Sequence, residues 1–238
     1  MKILFLLIFF LSIGLHSLSA QELTVGLNGQ LAIPQNEFSE SINTLGGGLN
    51  LNGHYRFANS PVGLGLDFNF INFGSDSRDE AFSTTIPDLR VRVENQYNLI
   101  QLMMQAKVQR QDGIFRPFAE GLAGFNYFFT ETSIRDRRDS GADPIASDTN
   151  FEDFAFAWGG GAGLKIRVFD LRDQQADERW FENISAGYIN IGVRYLNGSQ
   201  AEYLKEGSIT IENGSVSFDT LQSRTDMIMV QLGFVIRF

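Results

Sequence analysis

Three observations predict an all-β chain folded as one eight-stranded antiparallel up-and-down transmembrane β-barrel. The chain ends RTDMIMVQLGFVIRF, where Val230, Leu232, Phe234, Ile236 and Phe238 put an apolar side chain at every second position up to the last residue. Seven earlier segments carry the same alternation. Their other face is built from Gly and Asn with scattered ions, not from the dense Lys and Glu of a water-facing sheet. Successive side chains of a strand point to opposite faces, so each segment reads as a strand with one continuous apolar face.

The bulk numbers permit this fold. A single barrel can absorb 238 residues. The chain is 43% hydrophobic with a mean hydropathy of −0.09, and no internal run has the length and apolarity of a spanning helix. A membrane barrel needs an apolar residue only at alternate positions, so ordinary hydropathy does not argue against it. Phe (22) and Gly (24) are abundant against 5 Pro, which suits strands with interfacial aromatic girdles. Residues 1–20 read as a secretory signal peptide, with Lys2, an apolar stretch over 3–11, and small residues at Ser17, Ser19 and Ala20. Cleavage is expected after Ala20, with a cut after Ser19 as the alternative because Leu18 is large for its place. Residues 21–238 then form the barrel domain. Without Lys2 the remainder carries 18 Lys and Arg against 28 Asp and Glu, an acidic balance that argues against nucleic acid as a partner. The absence of Cys excludes disulfide staples and thiolate metal sites.

The strands follow in order. Residues 22–33 set Leu23, Val25, Leu27, Leu31 and Ile33 against Thr24, Gly26, Asn28 and Gln30. Residues 44–57 set Leu45, Leu49, Leu51, Tyr55 and Phe57 against Asn50, Asn52, His54 and Arg56. Residues 62–73 place Val62, Leu64, Leu66, Phe68 and Phe70 opposite Gly63, Gly65, Asp67 and Asn69. In 91–110, Ile100, Leu102, Met104, Ala106 and Val108 oppose Gln101, Met103, Gln105, Lys107 and Gln109. The fifth strand, RPFAEGLAGFNYFFT, sets Ala119, Ala123, Phe125, Tyr127 and Phe129 against Glu120, Leu122 and Asn126. The sixth, 154–169, sets Phe154, Phe156, Trp158, Leu164, Ile166 and Val168 against Gly, Lys165 and Arg167. The seventh, 183–196, sets Ile189, Ile191, Val193 and Tyr195 against Asn190, Gly192 and Arg194; the terminal strand is the eighth. Breaks at 58–61 and 111–116 are short and 170–179 is intermediate, whereas 34–43, 74–90, 131–153 and 197–223 are longer on average and polar. That alternation is the asymmetry of short periplasmic turns and long outer loops, and an even strand count puts both termini at the periplasmic end.

Two eight-stranded barrels compete: a soluble lipocalin-like carrier with its apolar face inward, and a membrane barrel with that face outward. The small residues and balanced ions of the polar face suit a packed lumen. The expected lumen network is His54, Arg56, Asp67, Lys107, Glu120, Lys165, Arg167, Arg194 and Arg237.

The last strand, through Phe238, Ile236, Phe234, Leu232 and Val230, resembles the assembly signal of outer-membrane barrel precursors. PFAEGLAGFNYF and WGGGAGLKIRV resemble strands of the small porin-like barrels of Gram-negative bacteria. The resemblance implies residence in the cell outer membrane. It implies insertion by the barrel-assembly machinery, and outer-membrane lipids and lipopolysaccharide as partners. That family includes structural barrels, adhesin-like barrels and a few enzymes.

Candidate chemistry is sparse. His54, the single His of the mature chain, lies on the inward face with Asp67 on the neighbouring strand to orient it, the pairing a general base would need. The bland reading is a lumen His held in a structural network. The glycine runs at 46–48 and 159–163 lack the Lys-Ser/Thr of a phosphate loop and read as packing space within strands. The loop ETSIRDRRDSGADPIASD mixes Arg135, Arg137 and Arg138 with Asp136, Asp139, Asp143 and Asp148; it reads as a solvated loop or as a cation or lipopolysaccharide contact. Asn197-Gly and Asn213-Gly read as turns. No catalytic residue, metal or cofactor is expected. The expected function is a structural or surface-interaction barrel acting through its outer loops on an unidentified extracellular ligand. A narrow pore for ions or small solutes is the alternative, followed by a barrel enzyme built on His54 or a soluble carrier.

Overall fold

The computed structural model describes residues 22–42, 44–81, 90–136, 146–171, 183–204, 210–212, 215–217 and 220–238; the segment read as a signal peptide lies outside them. Eight strands form the wall: β1 (Glu22–Pro34), β2 (Gly46–Arg56), β3 (Val62–Ala81), β4 (Arg90–Gln109), β5 (Phe115–Asp136), β6 (Ala146–Asp170), β7 (Ala186–Gly198) and β12 (Met227–Arg237). One short helix, α1 (Asn36–Ser41), follows β1. Between β7 and β12 lie β8 (Gln200–Leu204), β9 (Thr210–Glu212), β10 (Ser215–Ser217) and β11 (Thr220–Arg224).

The wall is a closed barrel in the order β1-β12-β7-β6-β5-β4-β3-β2, every neighbouring pair antiparallel. The last strand closes on the first, with Thr24 opposite Arg237 and Leu31 opposite Val230. Within the eight-stranded ring closure leaves no strand edge, the condition a sheet must meet to sit in lipid. Glu22, Phe238 and the β2–β3, β4–β5 and β6–β7 connections share one end, called here the inner end; the β1–β2, β3–β4, β5–β6 and β7–β12 connections share the outer end.

The faces point as the membrane reading requires. Leu27 is 58% exposed and Leu232 61%, with Leu51, Leu66, Met104, Val193 and Phe234 also on the outside. Asn28, Asn50, Asp67, Gln101, Lys165 and Arg194 are buried inside. A lipocalin-like carrier would show the reverse, so that alternative falls. Aromatic rings gather on the outside near both ends. Tyr55 meets Phe57, and Phe169 meets Phe234, near the inner end; Phe125, Phe156, Tyr127, Phe129 and Phe154 pack on one another toward the outer end. These are the positions of interfacial girdles.

Three features depart from the sequence reading. First, the four central strands are much longer than expected. β3 and β4 have 20 residues, β5 has 22 and β6 has 25, against 11 to 13 for β1, β2, β7 and β12. About 9–11 tilted residues suffice to span, so β3–β6 rise past the other strands into the segments expected as loops at 74–90 and 131–153. Outside lipid neither face needs to be apolar, so the alternation stops while the backbone ladder continues. β3 passes through a bulge between Asn72 and Ser75, where Gly74 takes a φ of 101° that a side chain would oppose. Second, the expected loop at 197–223 contains paired strands, β8 with β11 and β9 with β10. Third, the lumen is not polar throughout. Its outer third is an apolar plug of Ile71, Phe73, Leu99, Met103, Phe128 and Met229 with smaller neighbours.

Candidate functional site in the barrel lumen

The lumen has three tiers. The outer tier is closed by α1, which lays Phe38 into the mouth. Phe38 is 0% exposed and meets Phe73 and Phe128 edge-on, with centroids 5.5 and 5.8 Å away. Glycine makes the room: a Cβ at Gly46 would come within 2.6 Å of Ile71 Cγ2 and 2.8 Å of Phe73 Cε1. Further ties hold the outer-end elements together. The Arg224 amide of β11 donates to Glu37 of α1 at 3.1 Å, and the Glu202 amide of β8 donates to Asp153 of β6 at 2.6 Å.

The middle tier is a matched ionic network. Arg194 of β7 donates to both oxygens of Asp67 on β3, at 2.9 and 2.8 Å, and through Nε to Glu120 at 2.6 Å. β7 and β3 stand four places apart in a ring of eight, so this pair crosses the whole lumen. Lys107 reaches Glu120 at 3.1 Å, and Gln105 donates to the same oxygen at 2.7 Å. Asn50 and Asn69 donate to Asp67 at 2.9 and 2.7 Å. Asn28, Asn52 and Asn190 extend the amide chain toward β7. Two carboxylates meet two cations, and their remaining acceptors are occupied, which is the condition under which a buried ion pair is tolerable.

The inner tier is built differently. Glu22 pairs with Arg56 at 2.7 Å and lies 3.8 Å from Arg116 and 3.7 Å from Arg237. Arg167 pairs with Asp170 at 2.7 Å, and Arg237 approaches that carboxylate at 3.9 Å. The guanidiniums of Arg116 and Arg237 lie over the Tyr188 ring, 4.9 and 6.0 Å from its centroid.

Of the expected lumen residues, His54, Asp67, Lys107, Glu120, Lys165, Arg194 and Arg237 are buried and Arg56 and Arg167 are partly exposed, and the partners differ from those expected. Asp67 does not orient His54. The register sets Asp67 opposite Asn52 and His54 opposite Gly65, and both Asp67 oxygens are taken by Arg194. His54 is buried, and its Nε2 has no hydrogen-bond partner. Arg167 sits at the half-buried rim rather than deep in the lumen. Glu22 and Arg116 were missed as site members, although their parity with Thr24 and with Glu120 places them on the inward face. Both glycine runs lie within strands, β2 and β6. Of the expected mixed-charge loop, 131–136 belong to β5 and 146–148 to β6, and 137–145 lie outside the described residues.

A family model described as "Outer membrane protein beta-barrel domain" matches residues 3–222. No curated protein matches the chain. Among solved structures, Neisserial surface protein A is 12% identical with a TM-score of 0.40, over 92% of this chain and 96% of that one. The N-terminal β-barrel domain of Pseudomonas aeruginosa OprF is 12% identical with a TM-score of 0.34, over 90% and 97%. A major outer membrane protein from Thermus thermophilus is 12% identical with a TM-score of 0.45, over 92% and 100%.

Proposed function

The chain belongs to the outer membrane protein beta-barrel domain family, and from that premise we propose that it is a non-conducting scaffold whose work is done by its outer-end extensions. The observation that supports this reading is the packing of the lumen by the described residues. Phe38 and the apolar plug fill the outer mouth, and the Arg194–Asp67 pair spans the middle. An ion would have to cross a greasy layer and then break a satisfied ionic one, and either step is costly. Above the lipid, the long β3–β6 wall and the β8–β11 hairpin form a paired platform tied to α1 and β6. Rigid elements that project into water are suited to contacts with lipopolysaccharide or with an extracellular partner.

The same reading gives residues 1–20 the role of export signal. It gives the terminal strand, with Val230, Leu232, Phe234, Ile236 and Phe238, the role of recognition signal for the barrel-assembly machinery. The test of the scaffold reading is reconstitution of the mature barrel into planar bilayers. No discrete conductance steps are expected at moderate voltage; reproducible steps of constant size would replace the scaffold with a narrow pore.

A further inference from the structure

Among the described residues the inner tier holds more positive charge than its carboxylates match. Among the described residues Arg56, Arg116, Lys165, Arg167 and Arg237 face two carboxylates, Glu22 and Asp170. Glu22 serves three guanidiniums, and two of its three contacts are too long for hydrogen bonds. Lys165 is 3% exposed and makes neither a hydrogen bond nor an ion pair among the described residues. The charges that act on it are the cations Lys107 and Arg116 and the carboxylates Glu22 and Glu120, and Glu120 is already committed to Arg194 and Lys107. The β5–β6 register sets Arg116 directly opposite Lys165. Several donors of the tier have no acceptor: Arg56 Nε, Arg116 Nη1, Arg237 Nη2 and the Tyr188 hydroxyl. Unpaired cations and orphaned donors in a low-dielectric interior are expensive. The middle tier of the same barrel, where Arg194 and Lys107 meet Asp67 and Glu120, shows that this lumen can balance its charges.

We propose that the inner tier is a binding site for a small tetrahedral oxyanion, of the phosphate or sulfate class, held by Lys165, Arg116 and Arg237. A tetrahedral oxyanion offers acceptors in several directions, which suits donors converging from β5, β6 and β12. Guanidinium forks favour such oxygens. Arg167 and Asp170 are only half-buried at the rim, so the anion arrives from the inner end without crossing the outer plug. The site thus stands whether or not the lumen conducts.

The test uses the refolded mature barrel in a zwitterionic detergent. Its thermal unfolding is followed while sodium phosphate replaces sodium chloride at constant ionic strength. Binding to the folded state alone raises the midpoint with phosphate concentration. Lys165→Met is expected to fold and to lose the phosphate response, with affinity weakened at least about tenfold, the worth of one charge-assisted contact. Arg116→Gln provides a second, independent loss. Equal midpoints in phosphate and chloride would overturn the site, and so would a phosphate response that both variants retain. A parallel series adds phosphatidylglycerol to the micelles. Stabilisation by that lipid with none by free phosphate would also overturn the proposal, because the anion would then be a headgroup at the rim.

Discussion

The middle and inner tiers of one lumen draw on the same kinds of charged side chain, yet they differ in balance among the described residues. In the middle, Arg194 and Lys107 meet Asp67 and Glu120, and Asn and Gln amides take up the remaining acceptors. At the inner end, Glu22 is divided among three arginines, and Lys165 has no partner among the described residues. A packed barrel can therefore be neutral at one height and cationic at the next. The difference tells structural charge from charge held ready for something else. A network that only fills space is driven toward neutrality by the cost of burying an unpaired ion, whereas a surplus persists where a counter-ion or an open mouth relieves it.

The largest effect should come from unbalancing the balanced tier. Asp67→Ala leaves Arg194 without its bidentate partner in a fully enclosed position, and should cost about 3–5 kcal/mol of stability. Urea unfolding of the barrel in lipid vesicles measures it; a loss under about 1 kcal/mol would mean that the pair does not hold the lumen together. Glu22→Gln removes the shared carboxylate from a tier already in surplus. A loss of about 2 kcal/mol is expected, the range for hydrogen bonds to charged groups, and it should shrink in phosphate as the anion takes over the carboxylate's place. Insensitivity to phosphate would count against the idea that the surplus is what matters. The smallest effect, and the one of opposite sign, is that of Lys165→Met. Deleting a buried cation with no partner should leave stability in chloride unchanged or raise it by about 1 kcal/mol. A clear destabilisation would erase the contrast between the tiers.

The wall was largely legible in the sequence. The parity of Leu27, Leu51, Leu66, Met104, Val193 and Phe234 gave the lipid face, because lipid on one side and a packed lumen on the other impose strict alternation. It stopped being legible where that constraint ended. The upper parts of β3–β6 lie beyond the alternating stretch, and nothing in residues 74–81 or 131–136 announces a ladder that only its partner strand supports. The apolar plug was hidden for a related reason. Met103 and Leu122 interrupt polar rows, and one or two apolar residues on the inward row of a strand look accidental until closure stacks several at one height. The helix that delivers Phe38 has six residues, too few for a periodic signal.

The sequence by itself determined the number of wall strands and which face of each meets lipid, since both follow from local periodicity. Tertiary structure alone decided who pairs with whom across the lumen. Asp67 looked available to His54 because it lies on the neighbouring strand, but closing the ring brought Arg194, 127 residues away, to both of its oxygens. Barrel closure and register set those distances, so the balance of the middle tier and the surplus of the inner one could not be read from any single strand.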